Sequence, residues 1–502
     1  MAVIRKVLIA NRGEIATRVI RACRELGIGT VAVYSEVDRE ALHVLMADEA
    51  YPIGPPAPAE SYLKIETLVA VAKAAGADAV HPGYGFLAEN AGFAEACVAA
   101  GLTFIGPPPA AIRSMGDKTA ARRIAREMKV PMVPGTVDPV RGDDEARRVA
   151  SDVGYPVMIK AAMGGGGKGM RLVRSEGELD AALRSARSEA SSAFGDGSVY
   201  LERYVEEPRH IEVQVLADAH GHVVHLGERE CSIQRRHQKL IEESPSSFVD
   251  ADLRRRLGEA ACRIAKAAGY VNAGTVEFLV DKDRNFYFLE MNTRLQVEHP
   301  VTEMVTGIDL VKAQLAVAAG EPLAFRQEDV SWRGWSIECR INAEDPFMGW
   351  LPSPGTITGL RPAAGPWVRD DSGAYEGATI PRYYDTLIAK LIVWGPDRPT
   401  AIARMARALD EYKVTGVRTT IPVLARIIAH EDFKAGRLST QLLERILPQI
   451  SAAEGKYEPI AIIAAVLSEY ERLRGVASAP VSAKSAAPSA WRTAVRQGGW
   501  RR

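Results

Sequence analysis

Between residues 290 and 298, a polar side chain able to take part in chemistry recurs at every second position. The five are Glu290, Asn292, Arg294, Gln296 and Glu298. In an extended chain they share one face, and the mainly apolar residues between them take the other. A merely solvated face would usually carry lysines among mixed charges. The pattern therefore favours a site that binds a metal ion or an anion.

A second carboxylate, Glu277, is expected to lie across a hairpin from this segment. The hairpin turns at residues 281–285, which places Glu277 opposite Leu289 or Glu290. Two carboxylates that face each other across a sheet repel, and a divalent cation between them would reverse that penalty. Carboxylate and amide oxygens suit Mg²⁺. We therefore predict Glu277, Glu290 and Asn292 as ligands of Mg²⁺, with Mn²⁺ as an alternative ion.

Strand geometry limits how far this site extends along the chain. Eight steps of about 3.3 Å would separate Glu290 from Glu298 by about 26 Å in a straight strand. One reaction centre cannot use both ends unless the chain bends. We therefore expect the strand to end near Asn292 or Thr293, and residues 294–298 to curl into an anion-binding loop.

A glycine-rich run at residues 164–169 follows a predicted strand that ends at Lys160. Its GxGxxG spacing is a weak signal alone. It is not a Walker A loop, because Ala162 and Gly169 stand where Gly and Ser or Thr are required. Flexible backbone beside Lys160 and Lys168 suits a lid whose N–H groups cover phosphates. A flexible surface turn is the alternative.

Two further clusters have both a functional and a plain interpretation. Residues 234–239, QRRHQK, carry positive charge that suits an anionic ligand such as a nucleotide, although a basic solvated turn would look the same. His220, His222 and His225 could suggest a metal site. They lie beside Gly221 at a predicted hairpin tip, so an exposed turn is the favoured interpretation.

The elements that would position these residues begin with alternating strands and helices. Strands are predicted at 7–10, 30–34 and 78–81, and helices at 14–26 and 65–75, which indicates βαβ units and a parallel sheet. Ligands of such sheets bind beyond the carboxyl ends of the strands. Two glycine-containing turns, 11–13 and 81–85, fall at those ends.

The pattern changes after the proline-rich residues 106–109, which indicate a boundary. Later elements are predicted as a helix at 118–128, a strand at 157–160, a hairpin of 211–216 with 223–226, a helix at 253–268, and a hairpin of 275–280 with 286–291. Another α+β unit is predicted after residue 333. Residues 457–473 predict an amphipathic helix, and residues 478–490 a flexible linker.

Composition narrows the class of protein. A chain of 502 residues suggests two to four domains, and a net charge of zero argues against nucleic acid as the main partner. Five scattered cysteines without CxxC spacing fit reduced thiols in a cytosol. The N-terminus has no signal-peptide pattern, and no apolar stretch approaches the ~20 residues that span a bilayer. We expect a cytoplasmic protein without a membrane partner.

Seven motifs together make the sequence similar to the biotin carboxylases. In chain order they are IANRGEIA, HPGYGFLAEN, GGGGKGMR, ERYVEEPRHIEVQ, CSIQRRHQKLIEESP, EMNTRLQVEHPVTE and ECRINAEDP. The resemblance covers residues 3–447 and implies an architecture of α/β and α+β parts. These parts are a Rossmann-like N-terminal domain (1–115), an ATP-grasp domain (116–332) with a lid (about 132–204), a C-terminal α+β domain (333–447) and a tail (448–502).

The resemblance also implies roles for individual residues. The ATP site would comprise Lys118, Lys160, Gly165, Gly166, Met170, Glu202, Val205, His210, Gln234 and His237. The bicarbonate pocket would comprise Lys239, Arg294, Gln296 and Val297. Glu298 would be the general base, assisted by Lys239, Arg294 and Arg340. Arg340 would also steady the biotin enolate near Tyr84 and Gly85. Glu277 and Glu290 match magnesium ligands, with Asn292 beside them.

The implied activity is ATP-dependent carboxylation of biotin by bicarbonate, through carboxyphosphate. The motif around a biotin-bearing lysine is absent, so the expected partners are a biotinylated carrier protein and a carboxyltransferase subunit. The family also implies a homodimer. Acetyl-CoA, propionyl-CoA and pyruvate remain open as the final acceptor.

Two rival functions are less well supported by the residues. Another bicarbonate-activating ATP-grasp ligase, such as a carbamoyl-phosphate synthase domain, is disfavoured by Tyr84 and Arg340 within their motifs. A non-catalytic nucleotide-sensing subunit is disfavoured because Lys239, Arg294 and Glu298 are all present. The basic, aromatic residues 491–502 suggest either a solvated tail or a docking peptide for a carboxylase partner.

Overall fold

The computed structural model describes residues 3–136, 138–162 and 170–451, together with residues 463, 466, 467, 469 and 470. The chain divides into a unit of residues Met1–Leu447 and a second unit of residues Pro448–Arg502. The glycine-rich residues 164–169, the linker and the tail lie outside the described residues, as does most of the predicted amphipathic helix. The predictions made for those segments therefore stay predictions.

A five-stranded parallel sheet is built from the first part of the chain. Its order is β3-β2-β1-β4-β5. The strands are β1 (Lys6–Ile9), β2 (Gly29–Ser35), β3 (Glu49–Gly54), β4 (Ala79–His81) and β5 (Thr103–Phe104). All four pairings are parallel, as the alternation of strands and helices predicts.

A small antiparallel sheet follows, in the order β7-β6-β8. Its strands are β6 (Val157–Ala161), β7 (Arg171–Val173) and β8 (Val199–Arg203). Two helices pack on it through apolar side chains that include Ala146, Leu179 and Leu183.

The largest sheet has eight antiparallel strands in the order β13-β12-β9-β10-β11-β14-β21-β19. These strands are β9 (Arg209–Ala217), β10 (Val223–Arg235), β11 (Gln238–Ser244), β12 (Asn272–Val280), β13 (Phe286–Asn292), β14 (Trp335–Asn342), β19 (Val368–Ser372) and β21 (Leu387–Gly395). Because β11 pairs with β14, this sheet runs across the boundary expected at residue 332. Residues after 333 therefore extend an existing sheet.

Three short two-stranded ribbons complete the strands. They are β15 (Glu344–Asp345) with β16 (Leu351–Pro352), β17 (Gly355–Thr356) with β20 (Thr379–Ile380), and β18 (Gly359–Arg361) with β22 (Lys413–Thr415).

The helices connect and cover these sheets. They are α1 (Gly13–Glu25), α2 (Leu42–Met46), α3 (Ile65–Ala74), α4 (Ala91–Ala99), α5 (Pro109–Gly116), α6 (Lys118–Glu127), α7 (Asp143–Val153), α8 (Glu176–Phe194), α9 (Ala251–Ala267), α10 (His299–Thr306), α11 (Leu310–Ala318), α12 (Arg398–Glu411), α13 (Ile421–Ala429), α14 (Glu431–Lys434) and α15 (Leu442–Ser451). Among the described residues, no helix is long and apolar enough to cross a bilayer.

The core places the loop predicted at residues 294–298 against the five-stranded and the eight-stranded sheets. One buried cluster contains Val7 and Ile9 of β1, Leu216 of β9, and Leu295 from the segment that follows β13. Leu295 is fully buried. Burial of such a side chain contributes about 1.5–3 kcal/mol, so Leu295 anchors the polar residues on either side of it.

Candidate active site

A cleft of about 1080 Å³ receives side chains from the small antiparallel sheet, from the eight-stranded sheet and from turns that follow strands of the parallel sheet. Nearly every site residue expected from the sequence lines it. They are Tyr84, Gly85, Lys118, Lys160, Met170, Glu202, Val205, His210, Gln234, His237, Lys239, Glu277, Glu290, Asn292, Arg294, Gln296, Val297 and Arg340. Glu298 is fully buried just behind the lining. Gly165 and Gly166 lie outside the described residues.

The two carboxylates expected across the hairpin are direct partners. Glu277 of β12 pairs with Glu290 of β13, and the turn closes between Asp281 and Asn285 as expected. Burial, and then the charge of Glu277, raise the pKa of Glu290 above its ordinary value. This cost of placing two acids together is the kind that a divalent cation relieves.

Glu277 already accepts several hydrogen bonds from its surroundings. Lys239 Nζ and Asn292 Nδ2 each lie 2.9 Å from Glu277 Oε1, and His210 Nε2 lies 3.0 Å from Oε2. Burial opposes ionisation, but Lys239 and His210 outweigh it and lower the pKa of Glu277. The pair thus offers one firmly ionised carboxylate and a second, Glu290, for which Lys118 and His210 do not outweigh burial and the charge of Glu277. This donor set fits Mg²⁺.

The strand ends where the distance argument requires. β13 stops at Asn292, and residues 293–298, which we call the site loop, turn away before α10 begins at His299. Glu89 fixes the start of the loop because its carboxylate accepts hydrogen bonds from Thr293 N (2.9 Å) and Arg294 Nε (3.1 Å). The predicted bend is confirmed, and it returns Glu298 towards Glu277.

Glu298 lies between two cations that come from different strands. Lys239 Nζ of β11 donates to its Oε1 at 2.7 Å, and Arg340 Nη2 of β14 to its Oε2 at 2.9 Å. Burial tends to raise the pKa of Glu298. The charges of Lys239, Arg340 and Arg229 outweigh that effect and hold the pKa well below its ordinary value. The carboxylate is therefore ionised at neutral pH, as a proton acceptor must be.

The predicted nucleotide side is also organised around a buried acid. Glu202 of β8 forms ion pairs with Lys160 of β6 and with Arg122 of α6. Lys118 lies at the start of α6, where burial lowers its pKa. The two lysines thus lie in the same cleft as the carboxylates of Glu277 and Glu290. This arrangement suits a polyphosphate.

The basic cluster at residues 234–239 is the turn of a β-hairpin. Arg235 pairs with Gln238, and the two residues between them, Arg236 and His237, adopt left-handed backbone angles with φ of 47° and 67°. A two-residue turn of this hand matches the twist of the flanking strands. Gln234 and Lys239 precede and follow the turn, and both point into the cleft. The turn interpretation is therefore confirmed, and the role of its flanking residues in binding ligands stays a prediction.

Two turns of the parallel sheet meet at the expected strand ends. Asn11 Nδ2 donates to the carbonyl oxygens of Pro82 (2.7 Å) and Tyr84 (2.8 Å). Gly83 has φ of 62°, and a Cβ there would come within 2.8 Å of Asn11 Nδ2, so the contact requires glycine. Asn11 in this way places Tyr84 and Gly85 at the cleft.

One interpretation from the sequence is wrong in part. His220 and His222 lie at an exposed tip as expected, but His225 is buried within β10. Its ring stacks on Trp332 with centroids 6.0 Å apart and lies against Gly258 of α9. The strand β10 is longer than predicted, and His225 belongs to its packed face.

A layer of buried charges around Lys239 and Arg340 was not predicted from the sequence. Glu212 of β9 is fully buried and accepts hydrogen bonds from Lys239 and Arg229. Glu242 of β11 accepts from Arg340 Nε at 2.6 Å. A signal for Glu212 existed, because His210, Glu212 and Gln214 alternate along one strand face just as residues 290–298 do.

Comparison with known proteins agrees with this geometry. Residues 3–112 match the model of the biotin carboxylase N-terminal domain, residues 117–326 that of the carbamoyl-phosphate synthase L chain ATP-binding domain, and residues 338–445 that of the biotin carboxylase C-terminal domain. Biotin carboxylase 1 of Bacillus subtilis is 56% identical over 442 residues, which cover 88% of this chain and 98% of the relative. The chain belongs to the biotin carboxylase family.

Other members of the biotin carboxylase family show the same extent of similarity. The biotin carboxylase of Nostoc sp. is 56% identical over 88% of this chain and 99% of its own length. The biotin carboxylase domain dimer of the Hydrogenobacter thermophilus 2-oxoglutarate carboxylase, solved with MgADP, ADP and bicarbonate, superposes with a TM-score of 0.86. It is 51% identical, and the match covers 90% of this chain and 99% of that one.

Proposed function

We propose that the chain uses ATP and bicarbonate to carboxylate biotin that is carried on a separate protein. The observation that carries this proposal is the position of Glu298. Its buried carboxylate is held by Lys239 and Arg340 at the end of a loop that starts at the carboxylate pair of Glu277 and Glu290. A base, an anion-binding loop and a metal-type donor set therefore share one cleft with the lysines of the nucleotide side.

The first step would be formation of carboxyphosphate. Glu298 accepts the proton of bicarbonate, a bicarbonate oxygen bonds to the γ-phosphorus of ATP, and the bond to ADP breaks. Lys118 and Lys160 neutralise charge on the phosphates, and Lys239 and Arg294 bind the anion in the site loop. Mg²⁺, when bound by Glu277, Glu290 and Asn292, supplies charge neutralisation at the transferred phosphate.

The proton affinity of Glu298 must change during this step. In the described arrangement three cations lower the pKa of Glu298, which keeps the carboxylate ionised but makes it a weak base. Bicarbonate is an anion that also accepts hydrogen bonds from Lys239, so its binding takes part of that cation's interaction away from Glu298. The proton affinity of Glu298 then rises when its substrate is beside it.

The second step would transfer CO₂ to biotin. Carboxyphosphate breaks into CO₂ and phosphate, the phosphate accepts the proton from the ureido nitrogen of biotin, and that nitrogen bonds to CO₂. Arg340 stabilises the enolate oxygen beside Tyr84 and Gly85. Arg340 is buried against Glu242 and Glu298, so a planar donor is held on the biotin side of the cleft.

Partners, location and domain limits form part of the same proposal. The chain would act on a biotinylated carrier protein, pass its product to a carboxyltransferase and form a homodimer. We place the protein in the cytoplasm, supported by five cysteines that form no disulfide. The domains would be residues 1–115, 116–332 with a lid at about 132–204, and 333–447. Within the tail, 448–502, the basic and aromatic residues 491–502 would serve as a docking peptide for a carboxylase partner, with a solvated tail as the alternative.

The decisive test is ATP cleavage measured with and without bicarbonate, free biotin and a biotinylated carrier protein. We expect cleavage that depends on bicarbonate, rises with biotin and yields carboxybiotin labelled from radioactive bicarbonate. A carbamoyl-phosphate synthase activity, favoured by the name of the model that matches residues 117–326, would show bicarbonate dependence without biotin stimulation. That result would overturn the proposal. Purification of the native complex then identifies the carboxyl acceptor through its carboxyltransferase.

A further inference from the structure

Buried side chains hold two successive carbonyl groups of the site loop. His299 Nδ1 lies 2.8 Å from the carbonyl oxygen of Gln296, and Lys390 Nζ donates to the carbonyl oxygen of Val297 at 2.8 Å. Both side chains are fully buried. Lys390 comes from β21, more than ninety positions along the chain from the residue it contacts.

The burial of Lys390 is energetically unfavourable unless its position serves a purpose. A lysine is almost never fully buried without a partner, and replacement of a buried ion pair by apolar side chains is often neutral or stabilising. The partner here is Glu14 of α1, whose Oε1 lies 3.2 Å from Lys390 Nζ. The ammonium group thus joins the start of α1, strand β21 and the site loop.

The contact with Val297 acts on the residue that follows it. The Val297 carbonyl and the Glu298 N–H belong to one planar peptide group, so a bond to the oxygen sets the orientation of the whole plane. Lys239 and Arg340 hold the carboxylate end of Glu298, while Lys390 holds its backbone end. Both ends of the proposed base are therefore fixed by cations.

Two further contacts surround the Glu14–Lys390 pair. Its ammonium lies 5.8 Å from the centre of the Tyr84 ring. The segment that packs over Glu14 includes Gly373, where a Cβ would come within 2.5 Å of Glu14 N, so α1 and the β19–β21 connection are in close contact. The Glu14–Lys390 pair is therefore enclosed by elements that also form the cleft.

We infer that Lys390 is a positioning residue for the bicarbonate step, supported by Glu14, and this inference rests on the proposed function. Lys390 fixes the Val297–Glu298 peptide and so sets where bicarbonate meets its base. It has no described hydrogen bond or ion pair to Lys118, Lys160 or Glu202, the residues assigned to ATP. Its loss should therefore affect bicarbonate and leave ATP binding unchanged.

The test measures the KM values for bicarbonate and for ATP, separately, in ATP cleavage by the full chain. Lys390→Met removes the donor at nearly constant volume. Glu14→Gln/Lys390→Met removes the donor together with the carboxylate that forms its ion pair. We expect both variants to raise the KM for bicarbonate on the order of tenfold to a hundredfold, the range for loss of a charged hydrogen bond. The KM for ATP should stay within about twofold, and Lys413→Met, an exposed lysine of β22, should match the wild type.

Each outcome decides the inference. A KM for bicarbonate that stays within about twofold in the folded double variant overturns it, as does an equal rise in both KM values. If neither methionine variant folds, Lys390→Arg keeps a charged donor and should retain the bicarbonate KM, and a tenfold rise in that variant would contradict the role. Absence of bicarbonate-dependent cleavage in the wild type would instead remove the proposed function itself.

Discussion

Lys239 Nζ donates a hydrogen bond to Glu298 Oε1 at 2.7 Å, although the two residues lie on different elements 59 positions apart. The same ammonium contacts Glu212 and Glu277. One lysine therefore joins the metal-type carboxylate of β12 to the proposed base at the end of the site loop. Substitutions of the acidic residues, made one at a time, should distinguish effects on the reaction from effects on the assembly of the site.

Glu298→Gln should remove bicarbonate-dependent ATP cleavage and leave ATP binding intact. The amide is nearly the same size but cannot accept the bicarbonate proton, and a general base is worth about 10²–10⁴-fold in rate. Turnover is measured by release of ADP, and nucleotide affinity by calorimetry. Near-normal turnover in this variant would refute the role of Glu298. Weakened ATP binding would show that the loss is not specific to the base.

Glu290→Gln should stabilise the metal-free protein and raise the Mg²⁺ concentration that activity requires. Burial and the charge of Glu277 raise the pKa of Glu290, so the ionised form is unfavourable in the fold and a neutral amide should raise the unfolding temperature. Loss of a ligand should raise the Mg²⁺ concentration for half-maximal activity on the order of tenfold or more. Thermal unfolding in EDTA and a Mg²⁺ titration of activity measure the two effects. An unchanged Mg²⁺ requirement would exclude Glu290 as a ligand.

The buried carboxyl group of Glu14 should make the stability of the fold depend on pH. Burial is the main cause that raises its pKa from 4.5 to about 7, with Lys390 acting in the opposite direction. A raised pKa means that the fold favours the protonated form, so this contribution is present below about pH 4.5 and is lost as pH rises through about 7. Glu14→Gln should therefore gain stability relative to the wild type with rising pH, by up to about 3 kcal/mol. Denaturant unfolding of both proteins at pH 5 and pH 8 measures this difference, and a difference that does not vary with pH would contradict it.

Arg229, with one acidic partner, should matter for stability far more than a surface arginine with two. It is fully buried and donates to Glu212, to Gln214 (2.7 Å), and to Thr275 and Thr302 (each 3.0 Å). Arg229→Met leaves Glu212 buried with one fewer cation, and removal of one partner from a buried pair costs about 3–5 kcal/mol.

The matched control for Arg229 is Arg255→Met on α9. Arg255 contacts Asp252 and Glu259 at the surface, where water and salt screen such pairs. Urea unfolding of the two variants should show a large shift of the midpoint for Arg229 and none for Arg255. Equal shifts would mean that the buried network does not stabilise the fold.

Local periodicity was sufficient to predict the centre of the site. The position of the turn at 281–285 predicted Glu277 opposite Leu289 or Glu290, and the length of a strand step predicted a bend near Asn292 or Thr293. Both are properties of neighbouring residues. The motif resemblance supplied Lys118, Lys160, Gln234 and Arg340 at the cleft. These predictions depend on short stretches of chain.

Pairings between distant strands could not be predicted in this way. Nothing local indicates that β11 pairs with β14, so the residues after 333 were expected to form a separate unit. For the same reason Glu242 and Lys390 were missed, since their partners lie far away along the chain. His225 was misjudged, although it lies within the strand predicted at 223–226, because its burial depends on packing against Trp332 and Gly258, which are distant along the chain.

The pairing of β11 with β14 also bears on how such proteins can be inherited and recombined. Lys239 and Arg340 stand on β11 and β14, which are adjacent hydrogen-bonded strands of one sheet. A crossover between relatives near residue 333 would join two halves of a single sheet whose side chains had never been selected together. The strands on either side of residue 333 therefore depend on one another and would have to be inherited together.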